Sequence, residues 1–293
     1  EMGPAHPECP QRIDVITDML MTLRVLDMLQ HFEAPAVTRD QLLRVHSADY
    51  LDYLERILPE NGYEKIDMDT LMNPKTLKAA GYAAGSVVMG VDLVMSGQVK
   101  NAFCIVRPPG HHATTDTAMG FCFYNNVAVG AAHAAAEHGL ERIAIIDFDV
   151  HHGNGTDEIF RGHQQVMLFS LFEQGLYPLD GGKKTEGDGH YIALPGGSGG
   201  AEMRRAVEEH WIPALDEFRP ELVMISAGFD AHLQDEISDL HFSDADFQWM
   251  TQRCLDVAEE HAEGRLVSAL EGGYDLDSLA RCAAAHIKQL ANL

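Results

Sequence analysis

Basic residues are scarce in this chain of 293 residues: 21 Lys and Arg stand against 45 Asp and Glu, a formal net charge of −24. That imbalance repels phosphodiester backbones, so nucleic acid is not an expected partner and a cationic substrate is favoured. Cysteine is sparse as well. Cys9, Cys104, Cys122, Cys254 and Cys282 are scattered, odd in number and never spaced Cys-x-x-Cys. This argues against a zinc knuckle or a disulfide framework and for a reducing compartment. There is no run of eighteen apolar residues and no charged-then-apolar leader. The expectation is a cytoplasmic protein with no membrane partner. The first residue is Glu1 rather than Met, so native residues are expected to precede it.

The hydrophobic content, 46%, is ample for a large α/β core. Apolar positions at helical spacing (Ile13, Ile16, Leu20, Leu23, Leu26, Leu29) predict an amphipathic helix over 10–32. Thr38 and Ser47 are placed to cap short helices at 39–45 and 48–58. Residues 59–72 are polar, carry Glu60, Glu64, Asp67 and Asp69, and read as a surface loop. A helix rich in small residues is expected over 74–95. Beyond it strands alternate with helices: strands at 102–106, 142–149, 166–172, 191–194, 222–226 and 266–270, helices at 126–138, 200–218, 243–263 and 276–290. Such alternation predicts a three-layer α/β/α fold with a mostly parallel central sheet, here as a single domain over 1–293. No repeat and no linker divides it.

The most informative stretch is Arg142 to Gly155. It opens with the apolar strand Ile143-Ala-Ile-Ile146 and ends in Asp147, Asp149, His151 and His152. Alternation along an extended backbone sends Asp147, Asp149 and His151 to one side and His152 to the other. Two carboxylates and an imidazole at a buried strand end are stabilised most directly by a cation. Taken alone the pattern also fits a capped strand end. In parallel sheets, however, ligands bind beyond the carboxyl ends of the strands, and other strands deliver reactive groups there: His111 and His112, Asp230, and Gly272-Gly273-Tyr274. Asp149, His151 and Asp230 could hold Zn²⁺, and Fe²⁺ or Co²⁺ as well. His111 and His112 suit proton transfer, and Tyr274 suits an oxyanion.

Five ordered motifs carry a resemblance. Arg107-Pro-Pro-Gly-His-His112, Gly120-Phe-Cys-Phe-Tyr-Asn-Asn126, Asp147-Phe-Asp-Val-His-His-Gly-Asn-Gly155, Ser226-Ala-Gly-Phe-Asp230-Ala-His and Glu271-Gly-Gly-Tyr274 resemble the histone deacetylase and acetylpolyamine amidohydrolase family, as does the opening His6-Pro-Glu-Cys-Pro-Gln-Arg-Ile13. The resemblance implies an arginase–deacetylase fold and zinc-dependent hydrolysis of an acyl-amide on a lysine-like amine. It implies zinc on Asp149, His151 and Asp230, with His112 as general base, His111 tuning the site, Asp147 orienting His111, and Tyr274 stabilising the oxyanion. It also implies potassium (K⁺) at Asp147, Asp149, His151, Ser170 and Leu171, and an alkyl tunnel lined by Gly120, Phe121, Tyr177 and Gly273. Asn154, where many nuclear members carry an acid, is similar to the class II branch. A neutral partner stabilises imidazolium less than a carboxylate does, so His112 is expected to deprotonate readily.

The substrate expected on this basis is an acylated lysine in a peptide or protein. An acylated polyamine is the nearest alternative, and a non-catalytic acyl-lysine binder a remote one. A homo-oligomer is left open. The run Gly196–Gly200 has no lysine in the position a phosphate loop needs and reads as a flexible loop. His163, His232 and His241 read as isolated loop or surface histidines.

Overall fold

The computed structural model describes residues 2–178 and 189–293; Glu1 lies outside the described residues. In chain order the elements are α1 (Gln11–Thr22), α2 (Arg39–Leu42), α3 (Ala48–Ile57), β1 (Glu64–Lys65), β2 (Leu71–Met72), α4 (Thr76–Met95), β3 (Asn101–Cys104), α5 (Asn126–His138), β4 (Ile143–Asp147), α6 (Asn154–Phe160), β5 (Val166–Glu173), β6 (His190–Leu194), α7 (Gly200–Ala206), α8 (Ile212–Phe218), β7 (Leu222–Ala227), α9 (Asp244–His261), β8 (Leu266–Leu270) and α10 (Leu276–Leu290). Six strands form a wholly parallel sheet in the order β3-β8-β7-β4-β5-β6. Helices cover both faces, giving a three-layer α/β/α architecture.

Local chemistry sets the helix boundaries. Thr38 and Gln41 form a reciprocal cap at α2, the Ser47 side chain accepts the Tyr50 N–H, and the Asn125 side chain accepts that of Ala128. Gly139, at φ +66°, ends α5 in the left-handed conformation. The helix α4 has the length and apolarity of a membrane span, but its small residues serve internal packing. At Gly85 a Cβ would overlap the Pro35 carbonyl, so the extended segment at 35–37 lies directly on the helix.

Four expectations need correction. The helix over 10–32 stops at Thr22, because Arg24 takes a positive φ of 57° and turns the chain; a single 3₁₀ turn follows at Leu26–Met28. Residues 59–72 contain a small antiparallel pair, β1 with β2, rather than loop alone. The helix over 200–218 is interrupted at Val207–Trp211 by a wider turn. His232 is buried, its Nε2 lying 2.9 Å from Asp244 Oδ1.

The sheet is the platform for the polar residues at its carboxyl edge. Asp147 ends β4, in register with Ser170 of β5 on one side and Ser226 of β7 on the other. Beyond the strand ends polar residues alternate with core anchors. Phe148, between Asp147 and Asp149, packs edge-on against Phe229, which precedes Asp230, with ring centroids 6.0 Å apart. Phe229 in turn meets Phe247 of α9 at 5.3 Å. All three rings are buried, each stabilising the fold by roughly 1.5–3 kcal/mol. The loops that carry Asp149 and Asp230 are thereby pinned to the core.

Candidate active site

The loops after β3, β4, β7 and β8 converge on one buried cluster. Ligand-type atoms of Asp149, His151 and Asp230 all lie within 4.8 Å of one another, and all three residues are buried. His151 Nδ1 is 2.9 Å from Asp149 Oδ1 and 3.2 Å from Asp230 Oδ2. The second of these lacks hydrogen-bond geometry, so Asp230 Oδ2 is a buried oxygen with no hydrogen-bond partner. The other oxygens are held by main chain: Asp230 Oδ1 accepts the Val150 N–H at 3.0 Å, and Asp149 Oδ2 accepts the Gly272 N–H at 2.8 Å. Gly228 and Gly272 are required here, because a Cβ on either would overlap an Asp149 or Asp230 carboxylate oxygen.

The strict strand alternation expected for Asp147, Asp149 and His151 ends with β4 at Asp147. The carboxylate of Asp147 instead serves two neighbours, Oδ1 accepting the Asp149 N–H at 3.1 Å and Oδ2 lying 2.9 Å from His111 Nδ1. His152, sent the other way, reaches Ser170 Oγ at 3.0 Å. Ser170 and Leu171 are both buried beside β4.

Two adjacent histidines face different partners. His111 sits between Asp147 and Asp149, whereas His112 Nδ1 lies 2.7 Å from the Asn154 amide oxygen. Their ring centroids lie 4.0 Å apart, with the planes tilted by 44°. Burial opposes a charge on either, but the Asp149 and Asp147 carboxylates outweigh it at His111 and raise its pKa. Burial, reinforced by His111 and His151, holds the pKa of His112 well below the usual histidine value. Burial also opposes a charge on His151, yet Asp149 and Asp230 push its pKa up to about 10. Burial and then the Asp149 charge raise Asp230 to about 6. The site therefore concentrates negative charge that a cation would neutralise.

Sequence reasoning missed two supports of the Tyr274 segment. Arg12 of α1 is fully buried; its Nε donates to the Gly273 carbonyl at 2.7 Å, and its guanidinium lies 4.9 Å from the Tyr274 ring centroid. Glu271 accepts the Gly110 and His111 N–H groups at 2.7 and 3.2 Å, tying the end of β8 to the histidine loop. Arg12 falls in the His6–Ile13 stretch that carries the resemblance, but nothing in that stretch marks a contact with the main chain of Gly273. Around the histidines, Gly120 (φ +54°) brings its backbone against His112, and Tyr177 packs edge-on to His112 at 5.1 Å. Phe121 meets Tyr274 edge-on at 5.8 Å.

Three other groups among the described residues bring metal-ligand atoms together, and each has a cationic or exposed setting. His133 and His138 both point Nε2 at Asp92 Oδ1, but Arg44 donates to His133 Nδ1 at 3.0 Å and so fixes the proton on Nε2. The Asp244 carboxylate between His232 and Cys282 is engaged by Arg281. Asp216 and Glu260 are exposed. At Gly196–Gly200, Glu202 accepts the Gly199 N–H and occupies the place an anion would take. A cavity of about 1570 Å³ lies away from these residues along the outer edge of β3, between α4 and the α1–α10 layer.

The histone deacetylase domain matches residues 6–290. The chain belongs to the histone deacetylase family. It is 36% identical over 296 residues to a histone deacetylase-like amidohydrolase of Pseudomonas aeruginosa, covering 98% of this chain and 77% of that protein. It is 35% identical over 288 residues to a probable deacetylase of Archaeoglobus fulgidus, covering 94% and 79% respectively. Among solved structures, the crystal structure of the HDA15 HD domain superposes with a TM-score of 0.91 at 34% identity, covering 100% of this chain and 88% of that one. Histone deacetylase-family amidohydrolase chemistry is therefore the activity of the fold, and acylated substrates its class.

Proposed function

We propose that the chain is a zinc-dependent deacylase of the class II type, removing an acetyl or related acyl group from the side-chain amine of lysine in peptides or proteins. The observation that carries this reading is the unpartnered buried oxygen of Asp230 facing His151 and Asp149. Two carboxylates and one imidazole, with main chain already bound to the remaining oxygens, match a zinc site that leaves a position open to water and substrate. Zinc held by Asp149, His151 and Asp230 would polarise the acyl carbonyl and acidify a water molecule.

The protein's own groups do the rest. His112, kept neutral by burial and by the charged neighbour His111, accepts a proton from the attacking water and returns it to the leaving amine. Asn154 fixes the orientation of that ring, and Asp147 fixes that of His111. The Tyr274 hydroxyl hydrogen-bonds the carbonyl oxygen as charge develops on it. Gly120, Phe121, Tyr177 and Gly273 form the walls for the methylene stem of the substrate. Potassium would take the main-chain and side-chain oxygens around Asp147, Asp149, His151, Ser170 and Leu171, where β4 and β5 lie in register.

An acylated polyamine is a second reading, favoured by the acidic segment at 67–69. Burial, and then the nearby charges of Asp67 and Asp69 among others, raise the pKa of the Tyr177 phenol, so these acids lie close to the proposed tunnel. Turnover of acyl-lysine peptides and of acylated polyamines by one zinc-loaded preparation separates the two. Higher kcat/KM on the peptides supports the leading reading, and turnover of polyamines alone overturns it.

A further inference from the structure

The Glu271-Gly272-Gly273-Tyr274 segment poses a mechanical problem. Gly272 must lack a side chain, because a Cβ there would overlap the carboxylates of Asp230 and Asp149. Gly273 sits at φ +118°, a conformation L side chains rarely adopt, and only 3.0 Å would separate its Cβ from Leu279. The packing of the ligand cluster thus requires two consecutive glycines immediately before the tyrosine. A Gly-Gly pair imposes little conformational restriction on the residue that follows. Some other group has to fix the Tyr274 main chain.

We infer that Asp235 is the positioning residue for Tyr274, clamping its main chain from the loop that also carries Asp230. The Asp235 carboxylate is 5% exposed. Its Oδ2 accepts the N–H of Tyr274 at 2.6 Å and that of Asp275 at 3.1 Å, while Oδ1 accepts the Ile237 N–H at 3.2 Å. Arg12 Nε holds the carbonyl of the same Gly273–Tyr274 peptide, so that peptide is gripped through both its C=O and its N–H. The loop that presents Asp235 is itself fixed: the Asp235 N–H donates to the His232 carbonyl at 2.8 Å, and Ser238 Oγ donates to the Asp230 carbonyl at 2.8 Å. Asp235 follows Asp230 by five residues, so one short loop sets the position of both a metal-type ligand and the phenol opposite it. Charge-assisted hydrogen bonds to two successive N–H groups are strong and directional, and they also continue into α10, whose first turn is capped by Asp275. Asp235 touches no substrate in this role and acts through Tyr274.

The inference rests on the proposed role of Tyr274, and a double-mutant cycle separates the two. Zinc-loaded wild type, Asp235→Asn, Tyr274→Phe and the double variant are assayed on an acetyl-lysine peptide. Asp235→Asn is expected to lower kcat about 10- to 100-fold, as a small misplacement of a reacting group does, with KM changed less than about threefold. In the Tyr274→Phe background the same substitution is expected to have almost no further effect, since the hydroxyl it positions is gone. Multiplicative losses, or an unaltered kcat in Asp235→Asn, would overturn the inference, whereas an unaltered kcat in Tyr274→Phe overturns the role of the tyrosine instead. A readout independent of activity is the ¹⁹F spectrum of 3-fluorotyrosine placed at position 274. A shifted and broadened line in Asp235→Asn supports the clamp, and a line identical to wild type overturns it.

Discussion

The amide oxygen of Asn154 lies 2.7 Å from Nδ1 of His112, so the ring nitrogen facing it carries the proton and the opposite nitrogen is free to accept one. One residue earlier, His111 has a carboxylate in the equivalent place, that of Asp147. This difference separates two adjacent histidines into a charged one and a neutral one. It gives a direct expectation for Asn154→Asp. A carboxylate would stabilise the imidazolium form and raise the pKa of His112. A general base works only when deprotonated, so the acid limb of the kcat/KM–pH profile should move upward, by about one pH unit for a partly solvated ion pair. A profile that does not move would remove His112 from the role of base.

In the proposed mechanism Tyr274 donates a hydrogen bond to the developing oxyanion. Tyr274→Phe keeps the ring against Arg12 and Phe121 but deletes the hydroxyl. Loss of one such donor is expected to lower kcat about 100- to 1000-fold. Steady-state kinetics on an acetyl-lysine peptide checks this, and turnover equal to wild type would refute the assignment.

Much of this site can be read in the sequence, because its residues fall at strand ends. Asp147, Asp149, Asp230 and Tyr274 follow apolar runs that can only be buried strands, and a parallel sheet brings such ends to one edge. His111 and His112 follow an equally recognisable strand and loop. Arg12 and Asp235 could not be read in the same way. Each acts through main-chain groups of a segment more than thirty positions away, a contact that neither the His6–Ile13 stretch around Arg12 nor the loop around Asp235 spells out. The helix over 10–32 fails for a related reason. Its apolar spacing continues past Thr22, but Arg24 adopts a positive φ that periodicity does not register. His232 looks isolated in sequence, but it is buried against α9, with its ring on Phe247 and its Nε2 2.9 Å from Asp244 Oδ1.

Removing the metal should affect stability as well as activity. Without a cation, Asp149 and Asp230 face one another around His151 in a buried site, and Asp230 Oδ2 has no hydrogen bond. Chelation is expected to abolish hydrolysis and lower the thermal midpoint, with both restored by Zn²⁺, since a ligand bound only to the native state stabilises it. In Asp230→Ala the midpoint should no longer respond to Zn²⁺. Differential scanning calorimetry with and without metal checks both, and an undiminished response in that variant would remove Asp230 from the ligand set.

A final expectation concerns His286, which is buried on α10. Its Nδ1 is 2.7 Å from Thr251 Oγ1 and its Nε2 is 2.9 Å from Ser268 Oγ, and burial pushes its pKa down to about 3. The unfolded chain takes up a proton here near the ordinary histidine value of about 6.5, whereas the folded chain resists protonation until about 3. The stabilising contribution is therefore complete above pH 6.5 and declines as pH falls through that value towards 3. Between pH 7 and pH 5 the loss should be about 2 kcal/mol by linkage. His286→Gln keeps a polar group within reach of the two hydroxyls but cannot titrate. Denaturant unfolding at both pH values should show a fall in stability for wild type that exceeds the variant's fall by that amount. Equal falls in the two proteins would mean that His286 does not control the acid sensitivity of the fold.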